Sequence, residues 1–356
     1  TKIDLEEITI DELREGYKTG KYSIVEITKV YLDRIEEIDA NGPELNSVIT
    51  INPDALEIAA ILDDELRQGK SRGAMHGIPV LLKDNIDTHD KMPNTAGSLI
   101  MKNSFPVKDA WVTAKLRDTG AVIIGKTNLS EWANFHSSYS SSGWSGLGGQ
   151  TKNPYDLTRN PCGSSSGSGV AVSANLTVLA IGTETDGSIV CPANNNGIVG
   201  IKPTVGLISR SGIIPISFTQ DTPGPMARTV RDATICLGVM TGVDSTDSKT
   251  INSEGKNLID YTPHLKADGL EGKRIGFDIT LIGRNYHIDK VMLEAVEFIK
   301  RNGAKVVEVK NIITPETENK EFDILLYEFK DGLNRYFASL GENAAVKNIE
   351  ELIKLQ

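Results

Sequence analysis

Three segments of this chain combine residue types that can attack a carbonyl and move a proton. The first, Gly77-Ile-Pro-Val-Leu-Leu-Lys83-Asp84-Asn85, ends an apolar run on a lysine. A lysine emerging from such a run is poorly solvated, and desolvation disfavours its ammonium form. The neutral amine can then act as a general base. A lysine that snorkels to the surface has the same local sequence. The second segment is Cys162-Gly-Ser164-Ser-Ser-Gly-Ser-Gly169, and the third is Gly182-Thr-Glu-Thr-Asp-Gly187-Ser188-Ile-Val-Cys-Pro192. Both flank serine with glycine, which lets backbone N–H groups come close to a ligand. N–H donors from Thr185, Asp186, Gly187 and Ser188 beside a nucleophilic serine would make an oxyanion hole.

Three other motifs compete with this reading. Gly120-Ala-Val-Ile-Ile-Gly125-Lys126-Thr127 matches G-x-x-x-x-G-K-T letter for letter. A phosphate-cradling loop needs a turn between its glycines, and Ala121 to Ile124 instead reads as a buried strand. Gly163-Ser-Ser165-Ser-Gly167 matches the nucleophile elbow G-x-S-x-G, with Ser165 as nucleophile of an esterase on a different fold. The elbow needs a preceding strand, and Thr158-Arg-Asn-Pro161-Cys162 is a poor one. Asp84 and Asp87, with His76 and His89 nearby, are conceivable metal ligands, but scattered residues of these types usually cap or face solvent. No metal site and no cofactor is expected.

The elements that must position these residues follow from patterning. Thr9-x-x-Glu12 and Ser23-x-x-Glu26 fit the capping box, and apolar residues from Ile24 to Ile35 recur at helical spacing until Asn41-Gly42. Pro53 opens a third helix that Gly69 closes, so residues 1–70 read as helices covering a sheet. Between about 77 and 240, short apolar strands (Ile78 to Leu82, Ala121 to Ile124, Val178 to Ile181) alternate with loops rich in glycine and serine. The loops Ser137 to Gly149 and Gly163 to Gly169 are too small-residue-rich to pack a core and are suited to carry function. After a polar stretch at 245–268, strand Arg274 to Phe277, helix Ile288 to Ile299 and strand Lys305 to Val309 form a βαβ unit with a parallel pair, followed by helices.

Composition bounds the rest. The chain has 356 residues, 39% hydrophobic and 24% charged, with a net charge of −10. That is ordinary for a globular protein with a large core. No basic stripe is present, so a nucleic-acid partner is disfavoured, and no apolar run reaches the length of a membrane span. Cys162, Cys191 and Cys236 cannot all pair internally and include no C-x-x-C, so they imply neither a disulfide framework nor a zinc site. The chain starts at Thr1 rather than Met, which leaves a cytoplasmic protein and an exported one with its leader removed both open. Oligomeric state is not legible.

Taken together, the three segments resemble the amidase signature family. The likeness rests on Pro161 to Thr204, which closes with Gly197-Ile-Val-Gly-Ile-Lys202-Pro203-Thr204, on the 24-residue spacing of Ser164 and Ser188, and on Gly77 to Asp84. It extends from about residue 5 to about 245 and more loosely beyond. Within the family, Ser142 to Gln150, Glu184-Thr-Asp186-Gly, Ile189-Val-Cys191 and Pro215 to Gly224 are similar to the peptide-amidase-like subgroup. Asp186 and Val190 depart from the broader pattern, where glycine and arginine are frequent, but fit that subgroup.

The resemblance implies a fold of class α/β: an α/β/α sandwich with a central mixed β-sheet covered by helices, one amidase domain over 1–356. Its parts would be N-terminal helices at 1–70, a signature core at 71–245 and a βαβ-containing part at 269–356. The family's typical length implies that this last part is truncated. The resemblance also implies an amidohydrolase that cleaves a linear carboxamide, most suitably the C-terminal amide of a peptide, and releases ammonia. Other small or aliphatic amides are the alternative substrates. Ser188 would be the acylated nucleophile, Lys83 the base and Ser164 the relay between them, following a cis peptide bond at Gly163–Ser164. Asp186 would shape the leaving-group side or orient the oxyanion loop. Ser138, on the loop His136-Ser-Ser-Tyr139, and Gly163 are the expected substrate contacts.

Overall fold

The apolar runs of the sequence become the middle of a sheet in the computed structural model, which describes residues 3–355. In chain order the strands are β1 (Val48–Ile51), β2 (Pro79–Lys83), β3 (Val122–Thr127), a short hairpin of β4 (Trp144–Ser145) and β5 (Gly149–Gln150), β6 (Leu179–Glu184), β7 (Val199–Gly200) and β8 (Thr222–Ala227). Among the described residues six strands join in the order β1-β3-β2-β6-β8-β7. The inner pairs β3/β2 and β2/β6 are parallel, and the outer pairs are antiparallel. The expected mixed sheet is therefore present. Every residue of β2, β3 and β6 is buried, as parallel strands covered on both faces require.

The helices on this sheet start where the sequence signals them. Both capping boxes form, Thr9 with Glu12 ahead of α1 (Ile10–Lys18) and Ser23 with Glu26 ahead of α2 (Ile24–Arg34). A π-helical turn, Ile35–Ala40, continues α2. Then come α3 (Ala55–Arg67), α4 (Trp111–Asp118), α5 (Ser166–Ser173), α6 (Val190–Asn195) and α7 (Val230–Met240). The core joins Ile24, Ile27 and Tyr31 of α2 to Val80, Leu81 and Leu82 of β2 and Val170 to Val172 of α5.

Two features depart from the sequence reading. Residues 1–70 are not all helical, because Val48–Ile51 pairs with the edge of β3. Residues Thr222–Ala227, Thr-Pro-Gly-Pro-Met-Ala, form a strand that the two prolines hide. It pairs with β6 along its whole length, from Glu184↔Thr222 to Leu179↔Ala227.

The chain divides into two compact units, one formed by the chain up to Tyr261 together with Glu328 onward, the other by Thr262–Tyr327. The second contains β9 (Arg274–Asp278), α8 (Tyr286–Arg301) and β10 (Lys305–Val309), and β9 and β10 run parallel as expected. The long helix α9 (Pro315–Leu340) follows, and α10 (Ile349–Leu355) ends the described chain. Leu333, Tyr336 and Phe337 of α9 cluster with Trp132 and Ile214 in the first unit.

Candidate active site

The C-terminal ends of β2 and β6 bring the chemistry together. Leu82 pairs with Ile181, so Lys83 and Thr183 stand near one another at the ends of adjacent parallel strands. Lys83 is 0% exposed. Its Nζ donates to Ser164 Oγ at 2.8 Å, to Thr183 Oγ1 at 2.9 Å and to Thr183 O at 3.2 Å. Burial pulls its pKa from 10.5 down to about 7, against the charges of Asp221 and Glu184, which pull it up. The snorkelling alternative is therefore excluded: the amine ends inside the protein and not at its surface.

Ser164 follows a cis peptide bond after Gly163, as the resemblance implies. It lines a narrow cavity together with Ser188, Asn85, Thr183, Thr185 and Asp221, walled by Ile213, Ile214 and Ile216. The two serine loops are also joined through the backbone, Ser165 N donating to Ser188 O at 3.1 Å. Gly187 has φ +83°, a left-handed conformation that glycine takes without strain, and it turns the chain from β6 into the Ser188 loop. Glu184 Oε2 accepts from Ile189 N at 2.7 Å and Val190 N at 2.9 Å, which pins the start of α6. Among the described residues no hydrogen bond takes up the N–H groups of Asp186, Gly187 or Ser188.

Asp221 forms the far wall. Its carboxylate accepts from Thr185 Oγ1, from Ile216 N at 2.9 Å and from Ser217 N at 2.9 Å. Burial pushes its pKa up to about 6, and these donors hold it down. Arg210 lines the same cavity and is clamped by Asp247, with Nε to Oδ2 at 2.8 Å.

The expected residues do not all converge. Ser164, Ser188 and Thr185 line the cavity and Lys83 is bonded to Ser164 at its buried edge, whereas Asp186 is exposed. Ser138 is also exposed and does not line this cavity, and its neighbour Tyr139 is 96% exposed. Gly163 is buried beside Ser130 and Ser166, where an added Cβ would lie 2.3 Å from Ser130 Oγ. From the 131–139 stretch it is Ala133 that reaches the cavity. Sequence reasoning missed Thr183, Asn85 and Asp221. Thr183 and Asn85 sit two residues from strand positions already singled out, so alternation along a strand end was the available signal.

The competing motifs resolve on geometry. Ser165 turns its hydroxyl to β6, donating to Thr183 O at 3.1 Å, and does not line the cavity. No strand runs directly into it, residues 151–165 lying between β5 and α5, so the elbow reading on another fold is wrong. Lys126 is buried in β3 and donates to Ile86 O at 2.6 Å, which leaves no phosphate loop. Asp87 accepts from Asn94 at 2.6 Å and from Tyr336 of α9 at 2.8 Å, and Asp84 accepts from Thr95. These carboxylates serve a buried polar network behind the site. The reading of the cysteines needs correction: Cys162 and Cys191 form a disulfide with Cα atoms 5.9 Å apart, while Cys236 stays free and buried. It joins the serine loops across 29 residues, a separation with no local sequence signal.

No helix among the described residues is long and apolar enough to cross a membrane. The model of the family described as Amidase matches residues 26–355. A Schizosaccharomyces pombe relative bearing an amidase name is 40% identical over 99% of this chain and 63% of its own length. An Arabidopsis thaliana relative, also bearing an amidase name, is 42% identical over 98% of this chain and 68% of that protein. The crystal structure of native peptide amidase from Stenotrophomonas maltophilia superposes with a TM-score of 0.92 at 49% identity, covering 98% of this chain and 70% of that one. The chain thus spans about two thirds of the length of these relatives. Sequence match, sheet topology and superposition agree: this chain belongs to the amidase signature family.

Proposed function

We propose that the protein hydrolyses a linear carboxamide through an acyl-enzyme on Ser188, and that its substrates are peptides bearing a C-terminal amide. The observation that carries this is the 2.8 Å contact between a buried amine, Lys83 Nζ, and Ser164 Oγ, across which the Ser164 hydroxyl can donate to the neutral nitrogen, with Ser164 sharing a cavity with Ser188. With a pKa of about 7, Lys83 is substantially neutral at physiological pH and can accept a proton. Ser188 Oγ passes its proton through Ser164 to Lys83 and bonds to the amide carbon. The N–H groups of Thr185, Asp186, Gly187 and Ser188 hold the oxyanion. The proton then returns to the nitrogen, the C–N bond breaks and ammonia leaves. Water repeats the sequence to release the acid and free Ser188. In this reading the two units act as one amidase domain over 1–356.

The peptide-amide preference rests on the likeness to peptide amidase. The test has two parts. A fluorophosphonate should label Ser188 and not Ser165. Ammonia release should be faster from an amidated peptide than from a simple aliphatic amide, and absent with free glutamine. Labelling elsewhere ends the mechanism, and faster turnover of aliphatic amides ends the peptide preference.

A further inference from the structure

Asn85 is held for a purpose that the Lys83–Ser164–Ser188 chain does not use. Its Nδ2 donates to Thr183 Oγ1 at 3.0 Å and to Ile214 O at 3.5 Å. A carbonyl oxygen such as Ile214 O only accepts, so the amide nitrogen must face it. Its backbone is fixed as well, Ile214 N donating to Asn85 O at 2.9 Å. This leaves Oδ1 as the free end of a side chain that is 3% exposed and lines the cavity. Oδ1 has no hydrogen-bond partner among the described residues. Of the buried side-chain atoms in that condition among the described residues, it is the only one on a residue lining this cavity. A buried acceptor left unmade is costly, and a cavity that contains one is built for a donor.

Two other side-chain acceptors around the cavity are engaged. Asp221 is satisfied by Thr185, Ile216 and Ser217. Thr183 Oγ1 is taken by Lys83 and Asn85. The isoleucine wall offers no polar side chain. A primary carboxamide brings one acceptor, its carbonyl, and two donors on nitrogen. The carbonyl suits the 186–188 N–H groups, and the nitrogen then needs an acceptor near the proton relay. Asn85 is bonded to Thr183, which is bonded to Lys83, so its side-chain amide stands next to the relay, with Oδ1 at the end that neither Thr183 nor Ile214 takes up.

We infer that Asn85 Oδ1 accepts an N–H of the scissile amide and is the residue that selects amides over esters. This rests on the proposed acyl-enzyme chemistry and adds the leaving-group subsite to it. Asn85 holds the NH2 group with a lone pair turned toward the returning proton, and releases it as ammonia. An ester of the same acid has no N–H for Oδ1, and sites that hydrogen-bond a substrate group reject analogues lacking it.

The experiment compares kcat/KM for a peptide amide and for the methyl ester of the same peptide acid, in the unmodified protein and in Asn85→Leu and Asn85→Ala. The amide-to-ester ratio is expected to fall by about tenfold or more in each folded variant, the loss of one hydrogen bond made to the reacting group. A ratio that stays constant, whether both rates hold or both fall together, overturns the assignment and makes Asn85 a structural residue. The unmodified protein provides a test that needs no variant: the N,N-dimethylamide of the same peptide has no N–H. Its cleavage within about tenfold of the primary amide rate also overturns the assignment. Failure of the unmodified protein to cleave either amide or ester refutes the acyl-enzyme reading, and the subsite with it.

Discussion

Replacing Lys83 by methionine tests whether the buried amine is neutral, and it does so without a substrate. Methionine keeps the unbranched shape and removes the titrating group. In the folded protein Lys83 titrates at about 7, whereas in the unfolded chain it titrates at 10.5. The folded pKa is the lower of the two. Between them the unfolded chain holds one proton more, and stability rises with pH. The penalty for burying Lys83 is thus complete below about pH 7 and disappears above 10.5. Each pH unit inside that window is worth ~1.4 kcal/mol. Allowing for half-protonation at the lower end, wild type should gain about 2 kcal/mol relative to Lys83→Met between about pH 7 and about pH 9.

The hydrogen bonds lost to Ser164 and Thr183 shift the comparison by a constant and do not tilt it. The assay is urea denaturation of both proteins across this range, followed by the fluorescence of the buried Trp132 among the tryptophans. Other ionisable groups are common to both proteins and cancel in the difference. A stability difference that is flat with pH would mean that Lys83 stays charged when buried. That result would falsify the general-base role whatever the activity of the variant.

The remaining predictions concern the same architecture. The kcat/KM of amide hydrolysis should rise with pH through about 7 as Lys83 loses its proton, and a rate that falls across that interval contradicts the scheme. Thr183→Val removes the hydroxyl beside Lys83 Nζ and should lower kcat by about tenfold with little change in KM; a lowered urea denaturation midpoint would point to a loss of stability instead. Removing the disulfide with a paired Cys162→Ser and Cys191→Ser variant should cost about 3 kcal/mol, read as a lower denaturation midpoint, because the bond closes a loop of 29 residues in the unfolded chain. Tyr336→Phe deletes a donor to the buried Asp87 and should cost about 1–3 kcal/mol, with an unchanged midpoint counting against the network behind the site.

Much of this protein is written locally. The capping boxes at Thr9 and Ser23, the apolar runs of β2, β3 and β6, and the βαβ pattern after Arg274 each depend on neighbours a few residues apart, and each forms as expected. The three chemistry-bearing segments were legible for the same reason, since a serine between glycines or a lysine ending an apolar strand is visible in one short window. Sequence could not decide which serine faces the cavity. Ser164 and Ser165 are adjacent and chemically alike, and only the turn into α5 directs one to Lys83 and the other to Thr183. Nor could it reveal β8, because two prolines suppress the strand signal while the ladder with β6 enforces the strand. The disulfide, the pairing of Lys83 with Thr183 and the orphaned oxygen of Asn85 are facts of juxtaposition between residues 29 to 100 positions apart. A hydrogen bond or a desolvated amine depends on what the folded chain places within a few ångströms, and a linear pattern does not carry that distance.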